Sequence, residues 1–141
     1  MTLSFKEDHI SQIPALMMLE KVGYTYLTPA EAMELRGGNA SNVLLEPILR
    51  EQLAKINTVQ VSSQRTTVFS EQNITAGIEA LRNLPMAEGF MTASQVAYDL
   101  LTAGKTLEQI VDGDKKSYVM QYIDWKHIEN NVFHVTEEFA V

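Results

Sequence analysis

The 141 residues include 18 Asp and Glu against 11 Lys and Arg, for a net charge of −7, with 45% hydrophobic residues and no cysteine. This fits one ordinary globular domain with room for a core. It excludes disulfides and thiolate metal sites, and it argues against a long phosphate-tracking surface within these residues. No run of about 18 apolar residues is present, so no helical membrane span is expected. The start, MTLSFKEDHI, does not read as a signal peptide, and a cytoplasmic setting is expected.

The first helix is expected over residues 11–22, with Ile13, Leu16, Met17 and Leu19 on one face and Gly23 as the stop. Pro14 fits its first turn if Ser11 is the N-cap; a start near Glu7 would require a kink at Pro14. Met17-Met18 reads as core filler. Tyr24 to Leu27 (YTYL) is a short strand-like run. Thr28-Pro29-Ala30-Glu31 then starts a helix: Thr28 caps, Pro29 takes the first helical position, and Glu31 closes a capping box. That helix ends at Gly37-Gly38.

A third helix is expected over residues 42–56, with Pro47 either bending it or marking its true start. Val59 and Val61 could form a short extended piece. The fourth helix runs from Ser70 to Leu84 with Ile74, Ile78, Leu81 and Leu84 inward, weakened locally by Gly77 and followed by Pro85. The fifth starts at Thr92, where Gln95 would complete a capping box, and ends near Gly104; its inner face is Val96, Leu100 and Leu101.

The pattern then changes. Residues 107–111 and 118–125 flank Asp112-Gly113-Asp114, a turn signal between two strands. A polar connection (KHIEN, residues 126–130) leads to a last expected strand over residues 131–141, which is still apolar at Phe139-Ala140-Val141. The expected fold class is therefore α+β, with residues 5–106 mainly helical and 107–141 an antiparallel meander. A single domain over residues 1–141 is expected, and its apolar end suggests the front part of a longer protein.

Little in the residues speaks for chemistry by itself. His9, His127 and His134 show no helical zinc spacing, and His134 reads as an ordinary strand histidine. Gly37-Gly38 lacks the Gly-Lys-Ser/Thr of a phosphate loop. Glu7 and Asp8 stand before the first helix, where they favour its N-terminus or serve as metal carboxylates. Asp124 either faces solvent at a strand end or lines a site.

Three segments carry a resemblance. The first is Glu7-Asp8-His9-Ile10-Ser11-Gln12-Ile13-Pro14-Ala15, continuing to Leu19-Glu20-Lys21-Val22-Gly23-Tyr24. The second is Asn42-Val43-Leu44-Leu45-Glu46 with Leu49-Arg50-Glu51-Gln52-Leu53 and Ile56-Asn57. The third is Tyr122-Ile123-Asp124-Trp125 followed by Glu129-Asn130-Asn131-Val132-Phe133-His134-Val135-Thr136. In order and spacing they resemble the N-terminal region of the restriction (R) subunit of type I restriction–modification enzymes, over nearly the whole chain.

The resemblance implies a PD-(D/E)xK, restriction endonuclease-like nuclease in which an Asp and a Glu-x-Lys hold Mg²⁺ against the scissile phosphate. That motif is absent from these residues and is expected after the strand at 131–141, so this stretch alone should be inactive. The resemblance also implies an acidic residue at the start of the first helix that assists the metal; the matches are Asp8, as metal ligand, and Glu7 beside it. ATP, DNA, and the methylase and specificity subunits are the implied cofactor and partners of the parent protein. A non-catalytic docking or DNA- and subunit-binding module is the alternative. The last strand is expected to lie at an open sheet edge.

Overall fold

A computed structural model describes residues 11–141. The chain divides into two compact units, residues 11–43 with Val132–Val141, and Leu44–Asn131. Its elements are mixed helix and strand, as the α+β expectation requires.

In the first unit, α1 (Ile13–Lys21) continues from a π-helical stretch at Ser11 and Gln12, and Gln12 has helical φ and ψ and makes no side-chain cap bond. Pro14 sits in the first turn, where its missing N–H costs nothing. Met17 and Met18 are 58% and 69% exposed, which corrects their reading as core filler. Strand β1 (Thr25–Tyr26) follows. Helix α2 (Pro29–Leu35) opens with the full capping box: the Glu31 N–H donates to Thr28 Oγ1 at 3.1 Å, and the Thr28 N–H to Glu31 Oε2 at 2.9 Å. Arg36, at the end of α2, is buried and donates to the carbonyls of Ala40 and Asn42, pinning the loop behind Gly37-Gly38.

The second unit opens with α3 (Glu46–Ile56). Pro47 therefore marks the start of this helix rather than a bend within a longer one. Next come the hairpin of β2 (Val59–Ser62) and β3 (Arg65–Thr67), and then α4 (Glu71–Arg82), capped by Ser70 through the Asn73 N–H. Helix α5 (Phe90–Ala103) starts two residues before Thr92, with Gly89 at the N-cap position. The expected Thr92–Gln95 box does not form; Gln95 Nε2 donates instead to Asp99. The inner face is Ala93 with half-buried Val96 and Leu100, whereas Leu101 is exposed.

Strands β4 (Lys105–Val111) and β5 (Asp114–Met120) pair antiparallel in full register. Asp112 and Gly113 both have positive φ, 52° and 84°, as a two-residue type I′ turn demands. The strand expected over 118–125 stops at Met120; residues 121–125 are irregular, and a short 3₁₀ turn occupies Ile128–Asn130.

The core of this unit is Leu53, Val59, Phe69, Ile74, Ile78, Met120 and Tyr122. Gly77 weakens helix propensity, but the packing needs it: a Cβ there would meet Met120 Sδ at 2.8 Å. Tyr122 donates its hydroxyl to the Gly77 carbonyl at 2.6 Å, and burial pushes its pKa up to about 12. Two buried amides tie the connections down. Gln109 accepts from the Ser70 N–H and donates to the Val68 carbonyl. Asn57 Nδ2 donates to Leu53 and Gln121 carbonyls at 2.9 and 2.8 Å, and its Oδ1 accepts the Gln121 N–H at 2.7 Å.

The largest departure is at the end of the chain. Only β6 (His134–Val135) forms within residues 131–141, and it pairs parallel with β1, not as the third strand of a meander. Among the described residues, β1 is the one strand paired with β6.

Candidate functional site at the paired first and last strands

Parallel pairing between segments so far apart in sequence needs specific fixings, because closing such a loop is entropically costly. The structure supplies several. The Thr25 N–H donates to the Phe133 carbonyl at 2.8 Å and the Leu27 N–H to the Val135 carbonyl at 2.9 Å. Thr25 stands opposite His134 and Tyr26 opposite Val135. The rings of Tyr24 and Phe133 meet at 5.5 Å, tilted by 57°. The Tyr26 hydroxyl donates to Glu137 Oε1 at 2.7 Å, and this bond to a carboxylate raises the tyrosine pKa. The guanidinium of Arg36 lies 3.9 Å from the Phe139 ring centre, a cation–π contact. The aromatic after Gly23 and the Asn-Asn-x-Phe stretch, read separately in the sequence, thus form one structure.

Glu137 is engaged by Tyr26, and among the described residues no group of three or more His, Cys, Asp or Glu could hold a metal ion. Glu7 and Asp8 lie outside the described residues, as does His9. His134 is half-buried in β6, and His127 is exposed with Nδ1 3.8 Å from Glu129.

Asp124 belongs to a different structure, the loop that closes the second unit. Its Oδ1 accepts the N–H groups of Lys126 and His127, and its Oδ2 accepts from Asn130 Nδ2. These bonds, that from Asn130 foremost, hold its carboxyl below the usual carboxylate range. Asn131 completes the loop, accepting the Asp124 N–H and donating to the Asp124 and Ile128 carbonyls. The carboxylate acts as a loop organiser.

Sequence reasoning missed Tyr26, Arg36 and Glu137. Only Arg36 carried a local signal, a cation directly before a glycine pair at a helix C-terminus.

The family described as type I restriction enzyme R protein N terminus matches residues 4–141. The chain belongs to that family. The match spans α1, the β1–β6 pair and all of the second unit, so both units of this R-protein region fall within one family boundary. No curated protein and no solved structure matches the chain significantly. Among the described residues of this R-protein region, no helix is long and apolar enough to cross a membrane.

Proposed function

We propose that this region builds part of the nuclease domain of a type I restriction R subunit, and that the complete subunit cleaves foreign DNA with Mg²⁺ and ATP. The parallel register of β1 with β6 supports the reading. It joins the first helix and its Gly-aromatic ending to the strand that, in a PD-(D/E)xK nuclease, leads to the catalytic one. In this reading the strand pair is the frame on which the catalytic strand is hung. Asp8, with Glu7 beside it, assists the metal from the start of the first helix. The Asp and Glu-x-Lys that hold Mg²⁺ are not among these residues and are assigned to the parent protein, as is ATP binding, and the region alone is inactive. DNA and the methylase and specificity subunits are its partners, in the cytoplasm. The alternative, a purely docking or DNA- and subunit-binding role, rests on the exposed apolar residues of the second unit.

The test uses a full R subunit carrying this region. Thr25→Pro removes the N–H that bonds Phe133, while Thr25→Ala keeps it. The expected outcome is loss of DNA cleavage in the proline variant alone, with ATP hydrolysis retained in both. Full cleavage by Thr25→Pro would overturn the framing role. Glu7→Ala with Asp8→Ala should lower cleavage at least tenfold with ATP hydrolysis retained, and unchanged cleavage would remove both residues from the site. Magnesium-dependent cutting of supercoiled plasmid by residues 1–141 alone would place the active site elsewhere.

A further inference from the structure

Asp112 is the one Asp or Asn in the chain that is followed by glycine. That dipeptide has a chemistry of its own. The main-chain nitrogen of the following residue can attack the aspartate carboxyl carbon, and a glycine, having no Cβ, leaves the approach open. The bond from Gly113 N to Asp112 Cγ forms, one carboxyl oxygen departs as water with the acid proton and the amide proton, and a five-membered succinimide results. Water then opens the ring at either carbonyl. Opening at the original main-chain carbonyl leaves Gly113 joined through the Asp112 side chain, an isoaspartate linkage with a free α-carboxylate. The structure leaves the reacting groups open to solvent. The Asp112 side chain is 63% exposed, no other group comes within 4 Å of where a Gly113 Cβ would stand, and among the described residues no hydrogen bond occupies the Gly113 N–H. Asp114, two residues on, precedes Lys115, whose Cβ obstructs the same attack.

One contact opposes the reaction. Arg65, on the β2–β3 hairpin, donates from Nη2 to both Oδ1 and Oδ2 of Asp112 at 2.6 Å. Ring closure must turn the carboxyl towards the Gly113 nitrogen and release one of its oxygens, and Arg65 engages both. An exposed ion pair adds little to stability, so the consequence of this one is chemical. We propose that Asp112-Gly113 is a site of isoaspartate formation that Arg65 holds shut. The product would not fit the fold. The turn closes β4 on β5 in two residues, both at positive φ, with Val111 opposite Asp114. An isoaspartate adds a methylene to the main chain there, which breaks the geometry that sets the register of Gln109 and Met120 in the interior.

The inference is independent of the nuclease reading, since it concerns a turn of the second unit and needs no metal or DNA. In the test the full chain is kept folded at neutral pH and body temperature for several days. Isoaspartate is counted as methyl groups transferred from S-adenosylmethionine by an isoaspartyl methyltransferase, and it is located by peptide mapping. Arg65→Ala should form it about three- to fivefold faster than the unaltered chain, at unchanged circular dichroism. Adding Asp112→Glu to that variant should remove the signal, because the ring would need a sixth member. Raised sodium chloride, which screens the ion pair, should speed the unaltered chain but not Arg65→Ala; this arm decides the matter if the variant does not fold. In urea, where Arg65 and Asp112 no longer meet, the two rates should coincide. Equal rates in the folded chains, a salt-insensitive unaltered chain, a label that maps to another residue, or a difference that persists in urea would each overturn the proposal.

Discussion

Replacing Asn57 with Ala removes three hydrogen bonds at once. The side chain is 6% exposed and spans from the Leu53 carbonyl, near the end of α3, to both backbone groups of Gln121, just past β5. A net hydrogen bond contributes about 1 kcal/mol, and a buried polar group left unpaired costs about 1–3 kcal/mol. Gln121 is exposed, so its backbone groups recover water in part; the Leu53 carbonyl belongs to a fully buried residue and does not. The expected loss is thus about 2–4 kcal/mol, a large share of the roughly 5–15 kcal/mol that stabilises a domain. Urea unfolding followed by the fluorescence of the single tryptophan, Trp125, reads the same unit. The midpoint should fall with little change in slope. Asn57→Asp makes the test sharper. It keeps the acceptor for the Gln121 N–H but points an anion at two carbonyls. It should therefore be at least as damaging as Ala at pH 7 and recover as the pH falls and the carboxyl gains a proton to donate. A loss below about 0.5 kcal/mol for Ala, or no acid recovery for Asp, would refute the clamp.

Gly104→Ala should cost roughly 2–4 kcal/mol, because φ is +83° and a Cβ would meet the Met120 carbonyl oxygen at 2.5 Å; Gly113→Ala, with φ +84° and open space, should cost about 1–2 kcal/mol, and the reverse order in thermal melts would contradict this packing. One of the five tyrosines, Tyr122, should ionise late, near pH 12, in the folded chain but near its ordinary value in urea. Its folded pKa is raised, so its stabilising contribution is complete below pH 10, is lost as the pH climbs towards 12, and should disappear from the alkaline unfolding profile of Tyr122→Phe. Asp124 has the opposite sign: its lowered carboxyl stabilises the loop at neutral pH, and this is lost as the pH falls below 3.8 through the folded value. Asp124→Ala should speed amide exchange of Lys126 and His127 at pH 7, and unchanged exchange would show that the turn holds without the carboxylate.

What could be read in the sequence was local. The Thr28–Glu31 box and the Asp112-Gly113 turn each depend on residues within three or four positions, and each formed as written; the helix start expected at Ser70 formed one residue on, with Ser70 as its cap. Pro47 offered two local outcomes, and the structure took the one that spares a hydrogen bond. The misses came where distant or tertiary partners decide. Residues 121–125 look like strand, yet Gln121 and Tyr122 are claimed by Asn57 and Gly77. Phe90 and Met91 extend α5 ahead of the expected Thr92 cap. Met17 and Met18 are apolar without being core. The candidate site follows the same division. Its segments were recognisable, but their parallel union was not, because no short-range signal specifies which distant strand β6 will choose.

The β1–β6 pair also sets an order of events during synthesis. Tyr26 waits for Glu137, 111 positions downstream, while residues 44–131 hold every member of their own core. On a ribosome the second unit can close as soon as it emerges, with the first helix and strand still unpaired at the leading end. The first unit is completed only when the last strand is released. A slow or paused stretch of translation after residue 131 would therefore lengthen the life of a species with one unit folded and an open β1 edge. That species, rather than the fully unfolded chain, is the form for chaperones to protect.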